Sequence, residues 1–247
     1  MAHRDEILAF ADELLDLSSF PDYGPMGLQV VGAEEVSKIV CGVSASRELF
    51  ERAAGAGAQL VLVHHGLFWD RDSRVVDALM KGRLKALLDA DITLAAYHLA
   101  LDAHREIGNN VLLAGELGVD VERPFATIGV GGRLSKPLTA ETFVGEVRST
   151  LGSDPIAFLE GPATVERLAI VSGGGGPYLT DAAQEGYDLL LTGEAGEPTM
   201  MKARELGIHF VAAGHYATET LGVQALAARL AERFGLDSEF IDLPNPI

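Results

Sequence analysis

One cysteine, Cys41, is all that the 247 residues contain. No intrachain disulfide can form, so the fold must hold by burial, as suits a reducing cytosol. Basic residues are scarce: 19 Lys and Arg stand against 36 Asp and Glu, a formal net charge of −17. A chain of that sign lacks the basic face that nucleic acid or an anionic membrane requires, and neither is expected as a partner. A small anionic ligand stays compatible, because bound divalent cations reverse the potential locally. No apolar run approaches the roughly 20 residues needed to span a bilayer. The stretch Ile7-Leu8-Ala9-Phe10-Ala11-Asp12-Glu13-Leu14-Leu15 carries acids inside an amphipathic helical pattern, unlike the unbroken apolar core of an export signal. A soluble, cytoplasmic protein is expected.

Several chemistries are missing as well. No GxGxxG follows either opening strand, which argues against a duplicated dinucleotide fold, and there is no serine nucleophile elbow or CxxC pair. The four glycines Gly173, Gly174, Gly175 and Gly176 invite a phosphate-loop reading, since the amides of such a turn can hold an anion. No Lys-Ser or Lys-Thr follows them, so they read as a tight turn between strand and helix.

What the chain does have is one metal-type motif, twice. Residues 95–102 read Ala-Ala-Tyr-His98-Leu-Ala-Leu-Asp102, and residues 212–219 read Ala-Ala-Gly-His215-Tyr-Ala-Thr-Glu219. If the chain turns helical after each His, His and carboxylate lie one turn apart on one face, a spacing that suits two ligands of one ion. A shift of 117 superposes the motifs, and a shift of 129 lays Leu60-Val61-Leu62-Val63-His64-His65 on Leu189-Leu190-Leu191-Thr192-Gly193-Glu194. The difference of 12 fits an insertion around residues 69–81. Repetition over roughly ninety residues indicates a duplicated unit. Two such units are expected to pack about a pseudo-twofold axis.

The rhythm of elements is α/β. Strands are predicted at 27–32, 38–44, 59–63 and 92–97, and helices at the N-terminus, 47–57, 77–90 and 109–117. From residue 165 the first pattern resumes and ends in a long helix over 219–234 and a last strand at 240–244. Between the halves, a strand at 125–134, a helix at 140–151 after a Thr139 cap and a strand at 156–159 are predicted. The expected organisation is a first α/β repeat over 1–123, a connector over 124–164 and a second repeat over 165–247. The 48% hydrophobic content is ample for the core.

His64, His65, His98 and His215, four of the seven histidines, each follow an apolar strand. The carboxyl ends of strands are where α/β sheets build their sites. Neighbouring side chains on a strand point to opposite faces, so His64 and His65 at a strand end bending at Gly66 can splay towards two adjacent ions. A hydrogen-bonded pair of core histidines is the plain alternative. His3, in the first helix, His104 and His209 read as solvated or structural.

The order His-His-Gly, then His98-x-x-x-Asp102, then a distant Gly-His215-x-x-x-Glu219 resembles the NIF-three-like dinuclear metal centre family, whose bacterial members are often labelled GTP cyclohydrolase 1 type 2 homologues. Gly27-Leu28-Gln29-Val30 and Thr192-Gly193-Glu194 belong to the resemblance, which covers nearly the whole chain. The family commonly has an Asn before the first strand, where this chain reads Asp22-Tyr23-Gly24-Pro25-Met26-Gly27-Leu28. The resemblance implies His64, His65, Asp102, His215 and Glu219 as ligands of two divalent ions, with Glu219 shared. One ion would take His65 and Asp102, the other His64 and His215, and three protein ligands each leave positions open. Nitrogen and oxygen donors fit Zn, Fe, Mn or Co. The resemblance also implies a toroidal homohexamer, and either a hydrolase of cyclohydrolase or phosphoester type acting on a small anionic substrate, or a non-catalytic metal-handling or regulatory protein. His98 stands outside the five. It is open as a further ligand, a group orienting one, a proton shuttle or a hydrogen-bonded core histidine. Glu194, at the place of His65 in the second repeat, reads either as lining the cavity or as a polar strand end.

Overall fold

Aliphatic residues crowd into short runs of this chain, and most of those runs become strands buried on both faces. In the computed structural model, which describes residues 1–247, the first half runs Ala2–His3 (β1), Arg4–Leu14 (α1), Gly27–Val30 (β2), Glu35–Val36 (β3), Lys38–Ser44 (β4), Arg47–Gly55 (α2), Leu60–His65 (β5), Ala78–Asp89 (α3), Thr93–Ala96 (β6) and Leu99–Asp102 (α4). Then come Asn109–Glu116 (α5), Val119–Phe125 (β7), Gly129–Leu138 (β8), Ala140–Leu151 (α6), Ile156–Leu159 (β9) and Val165–Val171 (β10). The chain closes with Leu179–Gln184 (α7), Leu189–Thr192 (β11), Thr199–Leu206 (α8), His209–Ala212 (β12), His215–Thr218 (α9), Thr220–Phe234 (α10) and Asp237–Phe240 (β13). It divides into two compact units: Met1–Leu101 with Gly222–Leu243, and Asp102–Leu221 with Pro244–Ile247.

The first unit holds a five-stranded sheet in the order β13-β4-β5-β6-β2. All neighbours are parallel except β2, which closes the edge antiparallel to β6. Helices α2 and α3 make the two crossovers, each started by a side-chain cap: Ser46 accepts from the Leu49 amide, and Asp77 from that of Met80. Such a cap stabilises a helix by about 1 kcal/mol. Leu49, Phe50 and Ala53 of α2 pack with Val61, Val63 and Leu94 in the core. Truncating a residue as buried as Phe50 costs roughly 3–5 kcal/mol.

The second unit holds a six-stranded sheet, β7-β8-β10-β11-β12-β9. β10, β11 and β12 are parallel, with β8 and β9 antiparallel on either side. Strand alternation sorts its core into two layers. Leu168, Ile170, Leu189, Leu191 and Val211 face Phe143 and Val147 of α6, whereas Ala169, Val171, Leu190 and Phe210 face Leu179, Ala182 and Ala203. Both units thus contain three parallel strands joined by two helices, an antiparallel strand beside the third, and a short helix after it. The α/β class is as expected.

Other expectations are corrected. Residues 124–164 are no connector, because β8 and β9 hydrogen-bond into the second sheet and β7 already starts at Val119. Residues 222–243 belong with the first unit, not with a second repeat, because β13 pairs with β4, Asp237 opposite Lys38 through Phe240 opposite Cys41. That strand precedes the 240–244 stretch predicted from apolarity; as an edge strand its exposed residues are polar. β5 runs through His64 and His65 instead of stopping before them. His3 lies in β1 and caps α1, with Nδ1 accepting from the Asp5 amide. The helix predicted over 219–234 is present as Thr220–Phe234, with Glu219, at φ −121°, ending the short helix before it.

Cys41 lies on β4, 2% exposed, and burial pushes its thiol up from an ordinary 9.0 to about 12. We expect no measurable reaction with a thiol reagent at pH 8 in the native protein and one equivalent per chain in denaturant. Because the folded thiol stays protonated where the unfolded one ionises, stability should fall as pH rises above about 9. Rapid labelling of folded protein would show that β4 is not covered on both faces.

Candidate metal centre

In the first unit, three imidazoles gather at the carboxyl ends of β5 and β6. His64 and His65 end β5, and His98 follows β6 directly before α4. Ring centroids are 4.7 Å apart for His64 and His65, 5.0 Å for His64 and His98, and 5.4 Å for His65 and His98. One ring nitrogen of each lies within 4.8 Å of those of the other two. Each ring is held through Nδ1 by an oxygen. His64 meets the Tyr97 carbonyl at 2.9 Å, His65 the Ser44 hydroxyl at 3.1 Å, and His98 the Asp22 carboxylate at 2.8 Å. A carbonyl only accepts, so Nδ1 of His64 carries the proton and Nε2 the lone pair.

Asp22 also accepts from the amides of Tyr23 and Leu99. Burial pushes its carboxyl up, but the His98 hydrogen bond and charge, with those two amides, outweigh burial and hold it below the ordinary value. Gly66, after the His pair, is required by packing: a Cβ there would fall 2.3 Å from Gln29 Nε2. Gln29 is fixed in turn, Oε1 accepting from the Leu67 amide and Nε2 donating to the Pro25 carbonyl.

The second unit holds the carboxylates of Asp102, Glu194 and Glu219 and the imidazole of His215. Asp102, 2% exposed, ends α4; its Oδ1 accepts from Asn109 Nδ2 at 2.8 Å and from the Ser172 hydroxyl at 3.2 Å. Asn110 donates to the Asp102 carbonyl and accepts from the Ser172 amide, tying α5 to the end of β10. His215 places Nδ1 2.5 Å from Glu194 Oε1 and Nε2 3.2 Å from Glu219 Oε2. Burial alone would lower the His215 pKa, but the Glu219 and Glu194 carboxylates more than offset it and raise it to about 9. A position that so favours a proton favours a metal cation for the same reason.

The first of the four glycines decides whether an ion fits here. Gly173 has φ +58°, and a Cβ on it would lie 2.0 Å from Glu219 Oε1 and 2.9 Å from His215 Nε2. Its carbonyl accepts from the amides of Gly193 and Glu194 and from the Thr192 hydroxyl, and its amide donates to Thr218. The turn therefore holds bare backbone against a carboxylate and an imidazole, where a side chain would fill the space. With nitrogen and oxygen donors and no thiolate, these residues fit a divalent ion of the Zn, Fe, Mn or Co kind.

The chain passes from the first unit to the second between Leu101 and Asp102, and back between Leu221 and Gly222. Each repeated motif lies at one of these crossings. His64, His65 and His98 belong to the first unit, and Asp102, His215 and Glu219 to the second. The other histidines are structural: His209 bonds the Pro162 carbonyl and the Gly161 amide, and His104 accepts from the amides of Glu106 and Ile107. Sequence reasoning missed Asp22, Asn109, Asn110, Ser172 and the contact of Gly173. The one available signal was two adjacent asparagines opening an otherwise apolar helix.

The profile of the family described as DUF34/NIF3 (NGG1p interacting factor 3) matches residues 2–246. A Pseudomonas aeruginosa protein named GTP cyclohydrolase 1 type 2 homolog is 46% identical over 241 residues, covering 96% of this chain and 95% of the relative. One of the same name from Escherichia coli K12 is 43% identical over 242 residues, covering 98% of both. Among solved structures, a structural-genomics protein called ybgI, of unknown function, superposes with a TM-score of 0.97 at 43% identity over 99% of this chain and 100% of that one. TTHA1606 from Thermus thermophilus gives a TM-score of 0.92 at 36% identity over 99% and 100%. With its whole length matched by the profile and by relatives of this similarity, the chain belongs to the DUF34/NIF3 family.

Proposed function

We propose that His64, His65, Asp102, His215 and Glu219 hold two divalent ions, with Glu219 shared, and that the protein is a metal-dependent hydrolase. The observation that carries this reading is the anchoring of the donors. His64, His65 and His215 are each gripped through Nδ1 by an oxygen, and Asp102 by an amide and a hydroxyl. Metal-ligating side chains are oriented this way, and loss of such a partner typically costs 10–100-fold in affinity. Divalent ions, when bound, polarise a carbonyl or phosphoryl oxygen and lower the pKa of water. This chain's own part is to hold the donors rigid and dry: His64, Asp102 and Glu219 are at most 2% exposed. The relatives' name suggests a nucleotide ring as substrate, and the same chemistry would suit a phosphoester; either is an anion that two bound cations would attract despite the net charge of −17. A cytoplasmic setting and a toroidal homohexamer accompany this reading; no helix is long and apolar enough to cross a membrane.

Elemental analysis should find two ions per chain. Glu219→Gln should disturb both and Asp102→Ala mainly one, while Gly173→Ala, which forces a methyl against Glu219, should lower occupancy at least 10-fold. One ion per chain at saturation would refute the shared carboxylate.

Metal-loaded protein should turn over GTP or a generic phosphoester well above a Glu219→Gln control. Full metal occupancy with no turnover on either would favour metal storage, delivery or sensing instead.

With 26.2 kDa per chain, light scattering should give about 157 kDa for six copies. A monomer at micromolar concentration would remove the ring.

A further inference from the structure

We propose that β9, an outer strand of the second sheet, pairs with β9 of a second copy of this chain about a twofold axis. The proposal rests on the homo-oligomer that accompanies the metal-centre reading, and it names the contact that builds it. Four edge strands bound the two large sheets, β13 and β2 in the first, β7 and β9 in the second. Edges that stay free are blunted by charge, proline or a bulge. β13 carries Asp237 and Glu239, and the register of β2 against β6 shifts between Leu28 and Val30. β7 carries Asp120, Glu122, Arg123 and Pro124, and its register shifts between Val121 and Arg123. β9 reads Ile156-Ala157-Phe158-Leu159, without charge or proline and in unbroken register with β12. It alone offers a regular, apolar edge.

Hydrogen-bond direction selects one pairing. The amides of His209 and Ala213 donate to the Asp188 and Thr192 carbonyls, on the β11 side of β12. By alternation Phe210 and Ala212 turn towards β9, where they oppose Phe158 and Ile156. The N–H and C=O groups of Ala157 and Leu159 therefore point outward. An antiparallel partner that sets its Leu159 opposite Ala157 engages every one of these groups in both copies, and Phe158 then lies on the axis opposite itself. A register two residues away needs the amide of Pro155, which has none, or that of Gly161, which already donates to His209 Nδ1.

The side chains around the edge are self-complementary. Ile156 is 56% exposed, and Met200 and Met201 are exposed on α8. Both methionines lie one turn from Arg204, whose guanidinium reaches Glu160 at the end of β9, so they flank the same edge. The carboxylates beside the strand are neutralised within the chain and do not repel a second copy. Asp154 pairs with Arg148 of α6 at 2.6 Å, and Glu160 with Arg204 at 2.8 Å.

The test combines light scattering with hydrogen exchange on the full-length chain. In assembled wild type the Ala157 and Leu159 amides should exchange as slowly as that of Phe158, which is bonded to β12. Ala157→Pro removes an outward donor and no bond to β12, and Leu159→Asp sets two carboxylates diagonally across the axis. Each should weaken association at least about 10-fold. A hexamer made of three such dimers should then fall to trimers of about 79 kDa or to monomers. Melting curves and a slow Phe158 amide identify the variants that keep the fold. Folded variants of wild-type mass, or fast exchange at Ala157 and Leu159 in an assembled wild type, would overturn the pairing and leave the ring standing. A wild-type dimer of about 52 kDa that both variants convert to monomers would support the pairing where the ring had failed. A monomeric wild type at micromolar concentration would overturn both.

Discussion

The grip of a fixed oxygen on imidazole Nδ1 is the interaction from which the rest of the site follows. An imidazole at a strand end can rotate and can carry its proton on either nitrogen. The Tyr97 carbonyl and the carboxylates of Asp22 and Glu194 remove both freedoms for His64, His98 and His215. Each acceptor belongs to the sheet framework or is tied to it: Tyr97 follows β6, Glu194 follows β11, and Asp22 is held by two backbone amides. Because these strands are buried on both faces, their ends are placed to within the small tolerance that close packing allows. Pre-organisation of this kind is what separates a metal centre from histidines that merely lie near one another.

Close packing also explains the two glycines that matter most. Gly66 admits the Gln29 amide, which ties the edge strand β2 to the residues after the His pair. Gly173 brings backbone against Glu219 and His215, so a turn that resembles a phosphate loop in composition serves as a wall for a carboxylate. The two turns do the same physical work in different units. Each replaces a side chain by space for a functional group that must approach closely.

Family membership and fold do not by themselves define an activity, because one fold hosts many chemistries. Donor type, burial and anchoring are therefore what support the proposed metal centre, and turnover is what would distinguish a hydrolase from a metal-handling protein. The formal net charge of −17 would not oppose an anionic substrate of the proposed centre, since field strength at a site depends on its nearest charges, and divalent ions dominate at short range.

The repeated His-x-x-x-acid motif and the His pair, read from the chain alone, named six residues: His64, His65, His98, Asp102, His215 and Glu219. Local rules also placed β4, α6 and β9 within their observed limits, because short apolar runs, helix period and a Thr139 cap are properties of neighbouring residues. Only the tertiary structure decided which sheet takes residues 124–164, where β13 pairs, and which oxygens hold the histidines. Asp22 and His98 are 76 residues apart, and Ser172 and Asp102 are 70 apart. Such partners are set by strand order and close packing, and no local periodicity encodes which distant loop a strand end will meet.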